Sequence, residues 1–286
     1  MHHRARGRVK LGPVEGAVVR LDREHGFGPR HNALRRFPVA PMLLPPPLVS
    51  ASQLVPRLGH PGHAVLGPAS LAELADVHLP DLYALGPSWN DLPADAYLRD
   101  GGRYRRRRHS CFVVRGNEIA QMPHRAHWQP VEYNALHGGL ERWFEPMAAS
   151  VCAEPAWRLL MLALAYTASA IKGAQAWFVE AHQFRIDTTD GIGRPTPEGA
   201  HRDGVDFVAV LLVDRVGVKG GETRVFEAAG PGGIRFTLSE PWTLLMLDDE
   251  QVVHETTPIQ PLAPGAACHR DTLVITLRRQ AFQGPG

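Results

Sequence analysis

The chain has 286 residues, 44% of them hydrophobic and 21% charged, the profile of a globular protein able to bury a full core. Lys and Arg number 31 against 29 Asp and Glu, and the resulting net charge of +2 is too small to point to nucleic acid or a membrane surface. Cys111, Cys152 and Cys268 are odd in number, far apart and without a CxxC pair, which argues against a disulfide framework or zinc knuckle and for a reducing cytoplasm.

The first residues, MHHRARGRVKLGPVEG, lack the apolar stretch of a secretory signal. From Gly12 to Pro93 proline interrupts the chain repeatedly, with PMLLPPPL at 41–48. Residues 1–100 therefore read as a Pro-rich extension or cap packed on a core domain at 101–286, with one helix near Ser70–Val77. Four arginines, Arg105–Arg108, precede the β-prone HSCFVV and would open the sheet; arginines on an edge strand read as a solvated face, and no RNA-binding motif accompanies them.

The segment 133–147 (YNALHGGLERWFEPM) leads into a helix that starts near Pro155, a residue suited to a first helical turn. Its apolar part, LLMLALAYTASA at 159–170, falls short of the roughly 20 residues needed to span a bilayer, so it reads as a core helix. AWFVEAHQFRI at 176–186 reads as a strand, followed by the polar loop DTTDGIGRPTPEG. Short strands then follow at 206–213, 222–227, 242–249 and 271–279, separated by Gly-rich turns. A mainly β architecture with flanking helices (α+β), an antiparallel barrel or jelly roll, is expected.

In an extended segment residues i and i+2 share a face, so His201 and Asp203 can offer an imidazole nitrogen and a carboxylate oxygen to one metal. His254, a few residues after the strand WTLLMLDD, is the candidate third ligand. Two His and one carboxylate occupy one face of an octahedral ion and leave the other open, the arrangement of non-haem Fe(II) oxygenases. The open positions suit a chelating 2-oxo acid such as 2-oxoglutarate together with O2. The far carboxylate of that cosubstrate needs a guanidinium, for which Arg270 is the first candidate and Arg278, an even step along the same strand, the second.

These residues lie in PTPEGAHRDGVDFVAVLLVDR (195–215), KGGETRVF (219–226), LDDEQVVHETTPI (247–259) and HRDTLVITLRR (269–279). In these blocks the chain resembles the bacterial 2OG-Fe dioxygenase family that includes L-isoleucine 4-hydroxylase. Weaker similarity reaches upstream to about residue 100. The resemblance implies a cupin-like double-stranded β-helix, His201, Asp203 and His254 as iron ligands, Arg270 for 2-oxoglutarate, and hydroxylation of a free amino acid or a small derivative of one.

Around the centre, Gln183 and Arg185 alternate on one strand and would share the pocket face, with His182 pointing away. Gln183 is a candidate for the cosubstrate, and Arg185 for a substrate carboxylate. Asn134 and Arg142, beside Gly138–Phe144, are further candidate pocket residues. The pairs His124/His127 and His60/His63 have no carboxylate partner and read as loop or surface histidines. Rival readings are the same chemistry on a peptidyl, carrier-bound or nucleic-acid substrate, a non-catalytic metal-binding barrel, and a zinc hydrolase, which lacks an evident general base. An exposed barrel edge or the Pro-rich segment would be the place for a homodimer contact.

Overall fold

The computed structural model describes residues 43–263, 265 and 268–285, so the first 42 residues of the expected cap lie outside it. Strand β1 (Leu48–Val49), helix α1 (Leu54–Gly59), strand β2 (His63–Leu66), and helices α2 (Pro68–Ala75) and α3 (Leu79–Tyr83) come first. Strands β3 (Arg105–Arg115) and β4 (Glu118–Gln121) and helices α4 (Ala149–Cys152) and α5 (Pro155–Lys172) follow. Then come strands β5 (Ala176–Asp187), β6 (Phe207–Val216), β7 (Val218–Gly220), β8 (Thr223–Glu227) and β9 (Gly233–Phe236). The last are β10 (Leu244–Asp248), β11 (Val252–Thr256), β12 (Ile259–Pro261) and β13 (His269–Arg278).

Eight strands form one sheet in the order β1-β2-β10-β6-β13-β5-β3-β4, faced by the smaller sheet β11-β8-β9 and the pair β12-β7. The division expected at residue 100 falls inside this fold, because β1 and β2 are strands of the main sheet, β2 pairing with β10. Helix α2 starts with Pro68 at its first turn and stops at Asp76, whose φ of 50° is left-handed.

The two faces of the large sheet differ in chemistry. Val179 and Ala181 of β5, Leu273, Ile275 and Leu277 of β13 and Phe112 and Val114 of β3 pack on Trp157, Leu160, Met161 and Leu164 of α5. The other face splits along its length. Toward β10 it is apolar, with Val208, Leu212, Leu245 and Leu247 packing on Val225 and Phe236 of the small sheet. Toward β3 it is polar and ionic, and there the two sheets enclose a cavity. No helix among the described residues is long and apolar enough to cross a membrane.

Candidate metal centre and active-site cavity

His201 and His254 are brought together by the backbone: they form an antiparallel bridge, each N–H donating to the other's carbonyl at 3.0 Å. The loop carrying Asp203 is tied down by the buried carboxylate of Asp249, which accepts from the backbone N–H groups of Asp203 (3.0 Å), Gly204 (2.8 Å) and Val205 (3.1 Å). Gly204 has a φ of +74°, and a Cβ there would lie 2.4 Å from the Tyr133 ring, so the turn after Asp203 requires glycine. One donor atom each from His201, Asp203 and His254 lies within 4.8 Å of the other two.

The tautomer suits a metal. His201 Nδ1 donates to the Gly199 carbonyl at 2.9 Å, which leaves the Nε2 lone pair facing Asp203 Oδ1 at 3.8 Å. His254 Nε2 stands 3.8 Å from Asp203 Oδ2. Burial and the neighbouring His201 hold His254 down at about 3, so its ring stays neutral, the form that can coordinate a metal. Asp203 Oδ1 also accepts from Gln129 Nε2 at 3.0 Å, which orients the carboxylate from behind.

Arg270 opens into the same cavity, 3% exposed, with Nε and Nη2 lacking any partner. Burial, reinforced by Arg215 alongside, pulls its guanidinium down to about 9. An unpaired buried guanidinium is costly unless an anion arrives, and a dicarboxylate would supply one. The cavity measures about 130 Å³.

A family model described as 2OG-Fe dioxygenase matches residues 86–276. The chain belongs to the 2OG-Fe dioxygenase family. Like its family, this dioxygenase uses Fe(II), 2-oxoglutarate and O2, and the residues just described fit both the ion and the cosubstrate. The crystal structure of a bsmA homologue from Methylobium petroleophilum PM1 is 51% identical, with a TM-score of 0.79, covering 84% of this chain and 97% of its own. Two more distant structures share the double-stranded β-helix fold. IDO from Bacillus thuringiensis is 16% identical with a TM-score of 0.66, covering 81% of this chain and 100% of its own. The Fe(II)/α-ketoglutarate-dependent dioxygenase TqaL is 17% identical with a TM-score of 0.62, covering 80% and 87%. No curated protein matches the chain.

Within the dioxygenase the parity of β5 is the reverse of that expected. Val179 and Ala181 are claimed by α5, so Gln183 and Arg185 point to the helical side and Glu180, His182, Phe184 and Ile186 face the cavity. Gln183 donates to Ser88 Oγ at 2.7 Å, and Arg185 forms a two-pronged pair with Asp271 at 2.8 and 2.7 Å. Arg278 keeps the parity of Arg270 but sits at the far end of β13, outside the cavity, donating to the Ala281 carbonyl at 3.0 Å. Asn134 and Arg142 do line the cavity, and both donate to Gln129 Oε1, at 3.0 and 2.9 Å.

The arginine run is not a solvated face either. Arg106 and Arg108 point outward and pair with Asp187 and Glu145, whereas Arg105 and Arg107 are 5% and 3% exposed and line the cavity. His127, expected on the surface, is buried in the cavity wall with His109, His182 and Glu180.

That cluster holds four potential metal ligands, but its hydrogen bonds assign it another role. Arg107 Nη2 lies 2.7 Å from His182 Nδ1, and a guanidinium only donates, so His182 keeps its proton on Nε2 and has no lone pair for a metal there. His109 Nε2 and His127 Nδ1 donate to the same oxygen of Glu180, at 2.9 and 2.6 Å. Burial works against the Glu180 charge, and the converging His127 and His109 rings overcome it and hold the carboxyl below its ordinary range. All three histidines are pushed down by burial, His127 to about 3. The cluster is a carboxylate solvated by neutral imidazoles, and it braces Arg107.

Proposed function

We propose that the dioxygenase hydroxylates a free L-amino acid or a small derivative of one, with His201, Asp203 and His254 holding Fe(II) and Arg270 taking the distal carboxylate of 2-oxoglutarate. Bound there, the iron supplies the oxidative chemistry that turns 2-oxoglutarate into succinate and CO2 and places one oxygen atom on a substrate C–H bond. The side chains of this chain bind, orient and exclude water.

The observation that carries the reading is a cavity beside the metal centre in which ionic groups of both signs keep buried polar atoms without hydrogen-bond partners. Beyond Arg270, it contains guanidinium nitrogens with no acceptor and the buried Glu198 Oε2 with no donor. A zwitterion with a carboxylate and an ammonium complements that wall.

The test is succinate formation by anaerobically purified protein supplied with Fe(II), 2-oxoglutarate, ascorbate and oxygen, with single amino acids added in turn. Stimulation by one of them, together with a product heavier by one oxygen atom, is the expected result. Iron-loaded protein that no amino acid stimulates would overturn the substrate assignment and leave a larger or tethered substrate.

Arg270→Ala is expected to raise the KM for 2-oxoglutarate by roughly 30- to 100-fold, the worth of a charge-assisted bidentate pair. Steady-state kinetics in 2-oxoglutarate checks this, and an unchanged KM would move the anchor elsewhere.

A further inference from the structure

The inward face of the sheet beside the cavity is a lattice whose rows can be read from strand register. Arg270 of β13 lies opposite Ile186 of β5, which lies opposite Arg105 of β3; the next row is Thr272, Phe184, Arg107. Arg105 and Arg107 are thus two strands away from Arg270, about 10 Å at ordinary strand spacing, with Ile186 and Phe184 between them. Arg142, bridged to His127 by backbone pairing, joins them from the loop that covers the cavity.

These three arginines are 5%, 3% and 2% exposed. Among the described residues, one carboxylate pairs directly with them: Asp95, 2.7 Å from Arg105 Nε and 3.9 Å from Arg107 Nη1. Glu180 is their second anion, reaching them through its own field and the His182 contact. Arg142 donates to the neutral amide oxygen of Gln129 at 2.9 Å. Glu198, also in the cavity lining, adds its field at Arg142, and Arg105 Nη2, Arg107 Nε and Arg142 Nε have no hydrogen-bond acceptor. Buried donors of this kind call for an acceptor, and an anionic one suits guanidinium groups best.

The arrangement is rigid before any ligand arrives. The Arg107 guanidinium lies between two rings, 3.8 Å from the Phe144 centroid and 4.4 Å from that of Phe184, with His182 Nδ1 fixing one edge. Guanidinium groups ordered in advance bind a carboxylate without losing side-chain freedom at the moment of binding.

We propose that Arg105, Arg107 and Arg142 form a second anion subsite, separate from Arg270, that takes the carboxylate of the substrate. It rests on the small-substrate reading above and assigns that substrate its orientation: the carboxylate lies against β3, and the carbon to be oxidised lies back toward the metal centre. The guanidinium donors left without acceptors match the two oxygens of a carboxylate, so the subsite selects a carboxylate end group and rejects the corresponding amide.

The experiment uses full-length protein loaded with Zn(II), a diamagnetic stand-in, and saturating 2-oxoglutarate, so that the Arg270 site is filled. Simple monocarboxylates (propionate, 4-methylvalerate) and their amides are titrated by ligand-observed NMR, without turnover. Wild type is expected to bind each acid at least about tenfold more tightly than its amide, and Arg107→Gln and Arg142→Gln to lose that preference. Equal binding of acid and amide to wild type would overturn the subsite, and this comparison needs no variant to fold. A preference that survives both substitutions would overturn it too, as would variants that lose 2-oxoglutarate affinity with unchanged carboxylate affinity. Failure of every amino acid in the succinate assay, with the acid preference intact, would instead reject the amino-acid reading and leave the subsite standing.

Discussion

Asp203→Ala and His201→Ala each lower succinate formation by on the order of a thousandfold or more, with the fold retained. Three donor atoms converge in this centre, and two cannot hold a hard divalent ion in a fixed geometry against water. The fold survives because the loop is fixed by its own backbone N–H groups donating to the Asp249 carboxylate rather than by the side chains of His201 and Asp203. Iron content after gel filtration and the melting temperature separate the two effects: iron should fall to background and melting should stay within a few degrees. Gln129→Leu tests the layer behind. It removes the donor to Asp203 Oδ1 and the acceptor of Arg142 and Asn134, and should lower iron affinity by about 10- to 100-fold. Full activity in His201→Ala or Asp203→Ala would remove this metal site.

The convergence of His201, Asp203 and His254 was legible because part of it rests on local spacing. His201 and Asp203 are two residues apart in an extended segment, and a histidine a few residues past the strand WTLLMLDD, His254 at the centre of β11, is the type of residue that can close the set. What could not be read was which face of a strand meets which layer. β5 carries polar residues on both faces, so alternation alone allows either phase, and the choice falls to Val179 and Ala181 packing against α5. That contact is made across the fold, and it turns His182 and Glu180 inward and Gln183 and Arg185 outward. The arginine run hid its pattern in a related way: Arg105 to Arg108 are identical in type, so nothing local distinguishes the two that enter the cavity from the two that meet solvent. A signal was available in Phe144 and Phe184, aromatic partners for a buried guanidinium, but they lie 37 and 77 positions beyond Arg107. β2 escaped notice for a third reason. It has four residues, is bounded by Gly62 and Gly67, and is buried on both faces, so it has no alternation to detect.

The neutral histidines around Glu180 make the protein acid-sensitive in a defined window. Unfolded, His109, His127 and His182 titrate near 6.5; folded, burial and the facing Arg107, Arg142 and Arg125 push them down, with Glu180 only partly opposing. A base whose folded pKa is depressed binds fewer protons in the native state, so its contribution is complete above pH 6.5 and is lost as pH falls toward the folded value. For His127, held at about 3, the fall from pH 6.5 to 5 costs on the order of 1.5 kcal/mol, and His109 and His182, lowered by burial, act in the same direction. Glu180 does not enter this window, since a carboxyl in the unfolded chain begins to protonate only near pH 4.5. The measurement is the melting temperature from pH 7.5 to 5 for wild type and His127→Gln. The metal-binding residues are common to both proteins and cancel from the difference, which isolates one ring. His127→Gln should melt lower at pH 7.5, where Glu180 loses a donor, yet its melting temperature should fall less steeply on acidification. If both proteins show the same slope, His127 is protonated in the native state, and Glu180 is then paired with an imidazolium. The subsite would in that case carry one positive charge more than Arg105, Arg107 and Arg142 supply, and its selectivity for a single carboxylate would have to be revised.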